Sequence, residues 1–334
     1  MDMMFIHADS NFEEKGVLTE IKSADIEIRQ DPEAEYIDNT FSITLDEAIW
    51  ANDPIYCGDY VYVPNSEWGG VVTLLKHSTE DQTVVIQGAT WRGLLFQRRV
   101  EPPEGEGYKV LTSVDANEAI RQAVGIKYGS LFSVTSESAG VNVSAQWRYQ
   151  TVADALHATL RAYGLRLNVT FNNSIPTVIL SAEAVDDLTD EIEISQDYGV
   201  NFQSETGNIE SANHCLALGA GQLASRNVLN VYYYNGQFYT SKPAGLAEAD
   251  IRTVILDYPN AEDNDELLKS AIERLTEHIP HESINIDQEL IDLDAQLGDI
   301  IGVRDRLTGM VGTSEISKKI LTIIDGVLTI DSEV

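Results

Sequence analysis

The sequence predicts an α+β, β-rich protein of two β-barrel domains with a small α/β insertion domain, and three observations predict it. A unit of strands, turn and helix runs from Gly58 to Arg99. Its opening returns near the C-terminus, where Gly298-Asp299-Ile300-Ile301-Gly302-Val303 repeats the pattern of Gly58-Asp59-Tyr60-Val61-Tyr62-Val63 at an offset of 240 positions (58 to 298). Gly69 and Val71 fall on Gly309 and Val311 at the same offset. Helical periodicity, finally, is confined to a few short stretches between runs that alternate with period two.

Within the first unit, Tyr60 to Val63 is a strand, Trp68-Gly69-Gly70 turns the chain into Val71 to Leu75, and Thr83 to Ile86 follows. Gly88 is expected to end the sheet. Ala89 to Arg99 reads as a helix with Leu94 and Leu95 inward, Arg98-Arg99 at its C-terminal end and Pro102-Pro103 forbidding continuation. Upstream, Val17 to Ile28 and Tyr36 to Leu45 read as strands about the turn Gln30-Asp31-Pro32-Glu33, since Ile26, Ile28, Phe41, Ile43 and Leu45 alternate with polar residues. A first domain over 1–105 is expected, closed by the run Pro102 to Gly107.

Residues 106–195 have a different texture. Asp115 and Glu118 stand in capping-box spacing before a helix ending at Gly125. Strands at Leu131 to Thr135 and Val141 to Trp147 follow. Thr151 caps a second helix with the apolar stripe Val152, Ala155, Leu156, Thr159, Leu160 and Tyr163, closed by Gly164. Leu165 to Phe171 and Thr177 to Leu180 then pair across Asn172-Asn173-Ser174.

The remainder, 196–334, is expected to be a second β domain completing a barrel, with 284–331 repeating 41–98. Ala212 to Leu218 reads as a strand, and Val228 to Tyr239 as a hairpin about Asn235-Gly236, a dipeptide suited to the positive backbone angles of a type I′ turn. Tyr232-Tyr233-Tyr234 and Phe238-Tyr239 supply cross-strand aromatic pairs. Asp263 and Glu266 cap a helix with Leu267, Leu268, Ala271, Ile272, Leu275 and Ile279 on one stripe, stopped by Pro280. Ser283 to Asp287 matches Phe41 to Asp46. Ile320 to Ile324 and Val327 to Ile330 form a last hairpin about Asp325-Gly326.

Composition narrows the function. With 54 acidic and 22 basic side chains, a formal charge of −32, the chain lacks the clustered cations of phosphate-tracking nucleic-acid binders. Cys57 and Cys215 match no metal or redox spacing and read as reduced residues of a cytosolically made protein. There is no secretory signal and no apolar window long enough to span a bilayer, so no direct membrane insertion is expected. The glycosylation patterns at Asn142, Asn168 and Asn172 are therefore read as ordinary strand and turn residues.

Candidate chemistry is sparse. His157 stands in a helix without a second ligand at metal spacing, and His278 and His281 only flank Pro280. Gly219-Ala220-Gly221 is too short for a dinucleotide fingerprint. Glu262-Asp263-Asn264-Asp265-Glu266 lacks the glycine and terminal glutamate of a calcium loop and suits a helix N-terminus. No catalytic, cofactor-binding or metal residue is assigned, and no enzyme activity is expected.

The Gly58-Asp59 strand resembles the tail-hub (baseplate-hub) proteins of long-tailed bacteriophages. So do Gly88-Ala89-Thr90-Trp91-Arg92-Gly93-Leu94-Leu95 with Arg98-Arg99, the acidic helix from Asp263 to Ile279, and Leu297-Gly298-Asp299-Ile300-Ile301 with Val303. The resemblance covers most of the chain in order. It implies two tail-tube-like β-barrels per chain and a homotrimer whose six barrels continue a sixfold tail tube at the tail tip. The implied partners are a tail tube or distal tail protein, a tape-measure protein, a tail fibre or spike protein, and viral DNA passing through the lumen without specific binding. Many relatives carry a C-terminal peptidase or receptor-binding extension, whereas this sequence stops at Val334, so a lytic or receptor-reading role is not expected. The alternatives are a tail-associated cell-wall-degrading protein or the hub of a phage-derived bacterial injection machine. A conduit for DNA is expected to have a net negative wall, which repels the passing phosphates.

Overall fold

The structure, a computed structural model, describes residues 3–30, 35–198, 201–207, 210–261, 263–279, 281–286, 290–324 and 326–333. It is α+β and β-rich, with a curled half-barrel sheet. Packing divides it into two compact units, one of residues 1–200, 288–303 and 313–334, the other of 201–287 and 304–312.

In the first unit the chain forms β1 (Phe5–Ala8), β2 (Glu14–Leu18), β3 (Ser23–Arg29), β4 (Thr40–Asp46), α1 (Glu47–Asn52), β5 (Tyr60–Tyr62), β6 (Gly69–Ser78), β7 (Thr83–Thr90) and α2 (Trp91–Phe96). The alternation in β3, β4 and β7 buries Ile26, Ile28, Phe41, Ile43, Val84 and Ile86 on one face. The expected strand from Val17 to Ile28 is broken in two, because Glu20 takes a positive φ of 55°. Tyr36–Asp38 is a 3-10 turn before β4, and most of the turn expected at 30–33 lies outside the described residues. Gly88 does not end the sheet. It lies inside β7, where a Cβ would stand 2.0 Å from the Val71 carbonyl oxygen and 2.6 Å from the Phe41 ring. The helix consequently starts only at Trp91, with the Thr90 hydroxyl accepting from the Gly93 amide at 3.2 Å.

The insertion continues through β8 (Lys109–Asp115), α3 (Ala116–Val124), β9 (Phe132–Val134), β10 (Asn142–Trp147), α4 (Val152–Arg161), β11 (Leu165–Asn172), β12 (Thr177–Ala184) and β13 (Glu193–Ile194). Asp115 and Thr151 cap α3 and α4 as their positions predict. Its core is continuous with α2: Trp91, Leu94 and Leu95 belong to the same buried cluster as Ile120, Leu156, Leu160, Phe171 and Leu180. The boundary expected at 105 is thus not a boundary in packing.

In the second unit lie β14 (Phe202–Gly207), β15 (His214–Leu218), β16 (Val228–Tyr234), β17 (Gln237–Tyr239), β18 (Thr253–Asp257), α5 (Asn264–Thr276) and β19 (His281–Ile286). Asn235 and Gly236 take positive φ of 49° and 78° at the expected hairpin turn. Leu267, Ala271 and Leu275 of α5 cover Cys215, Ala217 and Val231 of the sheet β17-β16-β15-β18. The helix is shorter than the stretch to Ile279, and Pro280 lies outside the described residues.

The chain then supplies β20 (Leu290–Ile291), β21 (Ile300–Arg304), β22 (Val311–Glu315), β23 (Lys318–Ile324) and β24 (Val327–Glu333). Here the expected contiguous domain 196–334 is corrected. The β23–β24 hairpin joins the ten-stranded sheet β2-β1-β5-β6-β7-β4-β3-β23-β24-β20, because β23 pairs antiparallel with β3 from Lys318↔Arg29 to Ile324↔Ser23. Ser283 to Ile286 do not take the place of β4 either. They pair with β14, Asp287 lies outside the described residues, and β20 is the strand beside β24. Asp325 of the last expected turn also lies outside them, with Gly326 at φ 78°.

Leu95 is fully buried in the shared core of α2 and the insertion. Leu95→Ala should therefore lower the unfolding free energy by about 2–5 kcal/mol in a urea titration. A loss below about 0.5 kcal/mol would mean that α2 is not the packed joint between the two.

Candidate functional site

The two Gly-Asp pairs form corners built on one hydrogen-bond plan. Gly58 and Gly298 take φ of 98° and 94°, a region open to glycine at little cost. The Gly58 amide donates to the Val72 carbonyl at 2.8 Å and the Val72 amide returns a bond to the Asp59 carbonyl at 2.8 Å. The same exchange joins Gly298 and Asp299 to Ile316, at 2.8 and 2.9 Å. Each aspartate amide donates to the carbonyl three residues back, Tyr56 or Gln296, at 3.1 Å. Each carboxylate in turn accepts from that residue's amide, at 2.8 Å for Tyr56 and 2.7 Å for Gln296.

The offset of 240 therefore holds for the corner and fails beyond it. The structural counterpart of Val72 is Ile316, not Gly312, so the second hairpin is longer. Gly69 is a strand residue opposite Tyr62, whereas Gly309 sits in a turn at φ 76°.

Both carboxylates are sealed, Asp59 at 7% and Asp299 at 2% exposure, so each requires donors. Asp59 meets the imidazole of His7 at 3.2 Å. Asp299 accepts from the Arg166 guanidinium of β11 and from the Asp186 amide at 3.2 Å. Beside Arg166, Arg92 of α2 donates bidentately to Glu67 at 2.6 and 3.1 Å, to the Gln30 amide oxygen at 2.8 Å and to the Leu167 carbonyl at 3.0 Å. Lys319 donates to the Ala295 carbonyl. Burial holds its ammonium below the ordinary lysine range, opposed by Asp294, Asp299 and Glu67. A cleft of about 750 Å³ opens among these groups. The cluster ties the first strands, the insertion and the C-terminal strands of this unit together through fixed ion pairs. The glycines and aspartates stand out in the sequence, as does Arg92 within its motif, but Arg166, Glu67 and His7 do not, because their partners lie far away in the chain.

The other residues singled out in the sequence are not brought together. His157 is a half-buried residue of α4 beside Arg29 and Gln30. His278 contacts the Arg274 carbonyl through Nδ1 at 2.9 Å, a helix-end bond, and the side chain of His281 lies outside the description. Cys57 is exposed, and burial pushes the Cys215 thiol up. Gly219 and Gly221 lie in a loop whose carbonyl at Gly219 accepts from Arg226 at 3.1 Å. Asp263 caps α5 by accepting from the Asp265 and Glu266 amides at 3.0 and 2.8 Å, while Glu262 lies outside the described residues. Of the expected aromatic pairs, Tyr233 and Phe238 meet at 5.2 Å. Among the described residues no group of three or more His, Cys, Asp or Glu side chains is placed to hold a metal ion.

No family model and no curated protein matches the chain. Among solved structures it is similar to a tail protein from Neisseria meningitidis MC58, at 11% identity over 100% of this chain and 96% of that one, with a TM-score of 0.46. It is similar to the 43 kDa tail protein of prophage MuSo2 from Shewanella oneidensis, at 13% identity over 99% and 98% of the two chains, with a TM-score of 0.48. A third is the prophage tail protein gp18 from Listeria monocytogenes EGD-e, at 12% identity over 99% and 93%, with a TM-score of 0.49.

The Arg166–Asp299 pair has side-chain exposures of only 10% and 3%. Arg166→Met should cost about 3–5 kcal/mol by leaving the carboxylate uncompensated, and adding Asp299→Asn should recover part of that loss. Purely additive losses in denaturant titrations would show that the two groups do not depend on each other.

Proposed function

We propose that this chain is a structural virion protein, the subunit of a trimeric hub at the distal end of a phage tail. In this reading it joins a sixfold tail tube to baseplate, fibre or spike, meets the tape-measure protein, and leaves a central passage for DNA. It has no catalytic role. The observation that carries the reading is the pair of corners. Each opens a β-hairpin in the same way, β5-β6 within the ten-stranded sheet and β21-β22 in a separate sheet beside β13. In this reading one chain carries two related β units, and three chains would carry six.

The proposal also assigns a lining to the passage. The ten-stranded sheet buries one face, and across β23, β3 and β4 its other face carries Thr322, Asp25 and Ser42 in one row, with Glu27, Ile320 and Asp331 beside it. Burial pushes the Asp25 carboxyl up, with Glu27 adding to it and Lys318 opposing. The same face carries Lys318, which pairs with Glu27 at 3.2 Å, so in this reading Asp25 and Asp331 supply the acidic character past which DNA slides without being held.

Light scattering or native mass spectrometry of the purified protein should give a mass of three chains, and imaging of that species a ring with a central opening. A stable monomer or dimer at all accessible concentrations would overturn the hub reading. Asp25 supplies a separate check. Because its folded-state value is raised, ionisation at Asp25 disfavours the fold: the stability it contributes is present below about pH 3.8, the unfolded value, and is lost as the pH rises through the folded one. Asp25→Asn should therefore raise the melting temperature at neutral pH and leave it unchanged near pH 3. The opposite pattern would mean that the acids of this face are held by cations.

A further inference from the structure

The two corners share a backbone plan but differ in the group that meets the carboxylate and in the strand that covers the hairpin's outer edge. At the second corner the cation is Arg166, whose guanidinium keeps its charge at any pH a protein meets. The outer edge of β21 is covered by β13, whereas the cation comes from β11. At the first corner the outer edge of β5 is covered by β1, through the three pairs Ile6↔Tyr62, His7↔Val61 and Ala8↔Tyr60. Here the covering strand itself supplies the partner, His7, which is 1% exposed.

His7 is placed between two carboxylates. Its Nδ1 lies 2.9 Å from Asp53 Oδ2 and its Nε2 lies 3.2 Å from Asp59 Oδ2. A neutral imidazole has one N–H and one lone pair, so it can donate to only one of them; the imidazolium donates to both. The other charged groups nearby are otherwise engaged. Opposite His7 on β2 stands Gly16. Its neighbours are Lys15, paired with Asp9 at 2.7 Å and Glu13 at 3.2 Å, and Glu14, which accepts from the Tyr62 hydroxyl at 3.2 Å. From β5 the residue opposite is Val61.

We infer that His7, Asp53 and Asp59 form a protonation-dependent latch that holds the β1–β2 hairpin on the edge of β5, while the matching corner at Asp299 is met by a guanidinium that does not lose its proton. With His7 doubly protonated, β1 is tied to the loop after α1 and to the corner together. Loss of one ring proton turns one of these bonds into a lone pair facing a carboxylate, beside a sealed Asp59 and an Asp53 side chain that is 34% exposed. The edge of β5 is then held by three backbone pairs and the apolar contacts of Phe5 and Leu18. The latch does not depend on the hub reading, since it concerns one chain.

Amide hydrogen exchange on the full chain, corrected for intrinsic rates, tests it at about pH 5 and about pH 8, the span over which imidazoles change charge. Protection of Phe5–Ala8 and Tyr60–Tyr62 should fall about ten-fold or more at the higher pH, as loss of one charge-assisted hydrogen bond implies. Protection of Ile300–Arg304 should not change. His7→Gln, which is neutral throughout, should show the low protection at both values and no pH dependence in β1. Equal responses at the two hairpins, no response at either, or a pH dependence that survives in His7→Gln would each overturn the latch. If His7→Gln does not fold, the comparison of the two hairpins in the unmodified protein decides alone.

Discussion

A carboxylate removed from water must be met by donors or it destabilises the fold by several kcal/mol, and the first unit is assembled around two such groups. Asp299 draws Arg166 from the insertion and the amides of Asp186 and Gln296 to one point. Asp59 draws His7 of β1 and the Tyr56 amide to the other, and Arg92 joins α2 to Glu67, Gln30 and Leu167. Apolar packing alone would allow the insertion to slide against the sheet, since dispersion contacts have little directional preference. Charged hydrogen bonds at fixed angles remove that freedom.

Much of the local structure was legible because it is dictated locally. Asp115, Thr151 and Asp263 cap helices from the positions where their side chains reach the free amides of the first turn. Asn235-Gly236 turns a hairpin because both residues accept positive φ. The alternating strands β3, β4 and β7 declared their buried faces. What escaped notice lacked such signals: β1 is buried at all four positions and so shows no alternation, and β18 enters its sheet parallel to β15, a pairing no turn announces.

The candidate site was half legible for a related reason. Glycine before aspartate at the start of a strand is visible as a repeated pattern, and the hydrogen bonds within five residues of it follow from that pattern. The partners of the two carboxylates come from β1 in one case and β11 in the other, and no spacing rule links position 7 to 59 or 166 to 299. The same distance in sequence explains the domain boundaries. Composition marks 102–107 as a break, yet Trp91 and Leu95 before it share a core with Leu156 and Phe171 after it.

The pairing of β3 with β23 has a consequence for how the protein comes into being. Arg29 finds Lys318 and Ser23 finds Ile324, so β3 waits for a strand that is synthesised long after it. Until the ribosome has delivered β23, the inner edge of β3 offers unpaired amides and carbonyls to any passing strand, and contacts of such long sequence separation form slowly. That interval leaves the edge open to misassembly, and a formal charge of −32 opposes the approach of like chains to it.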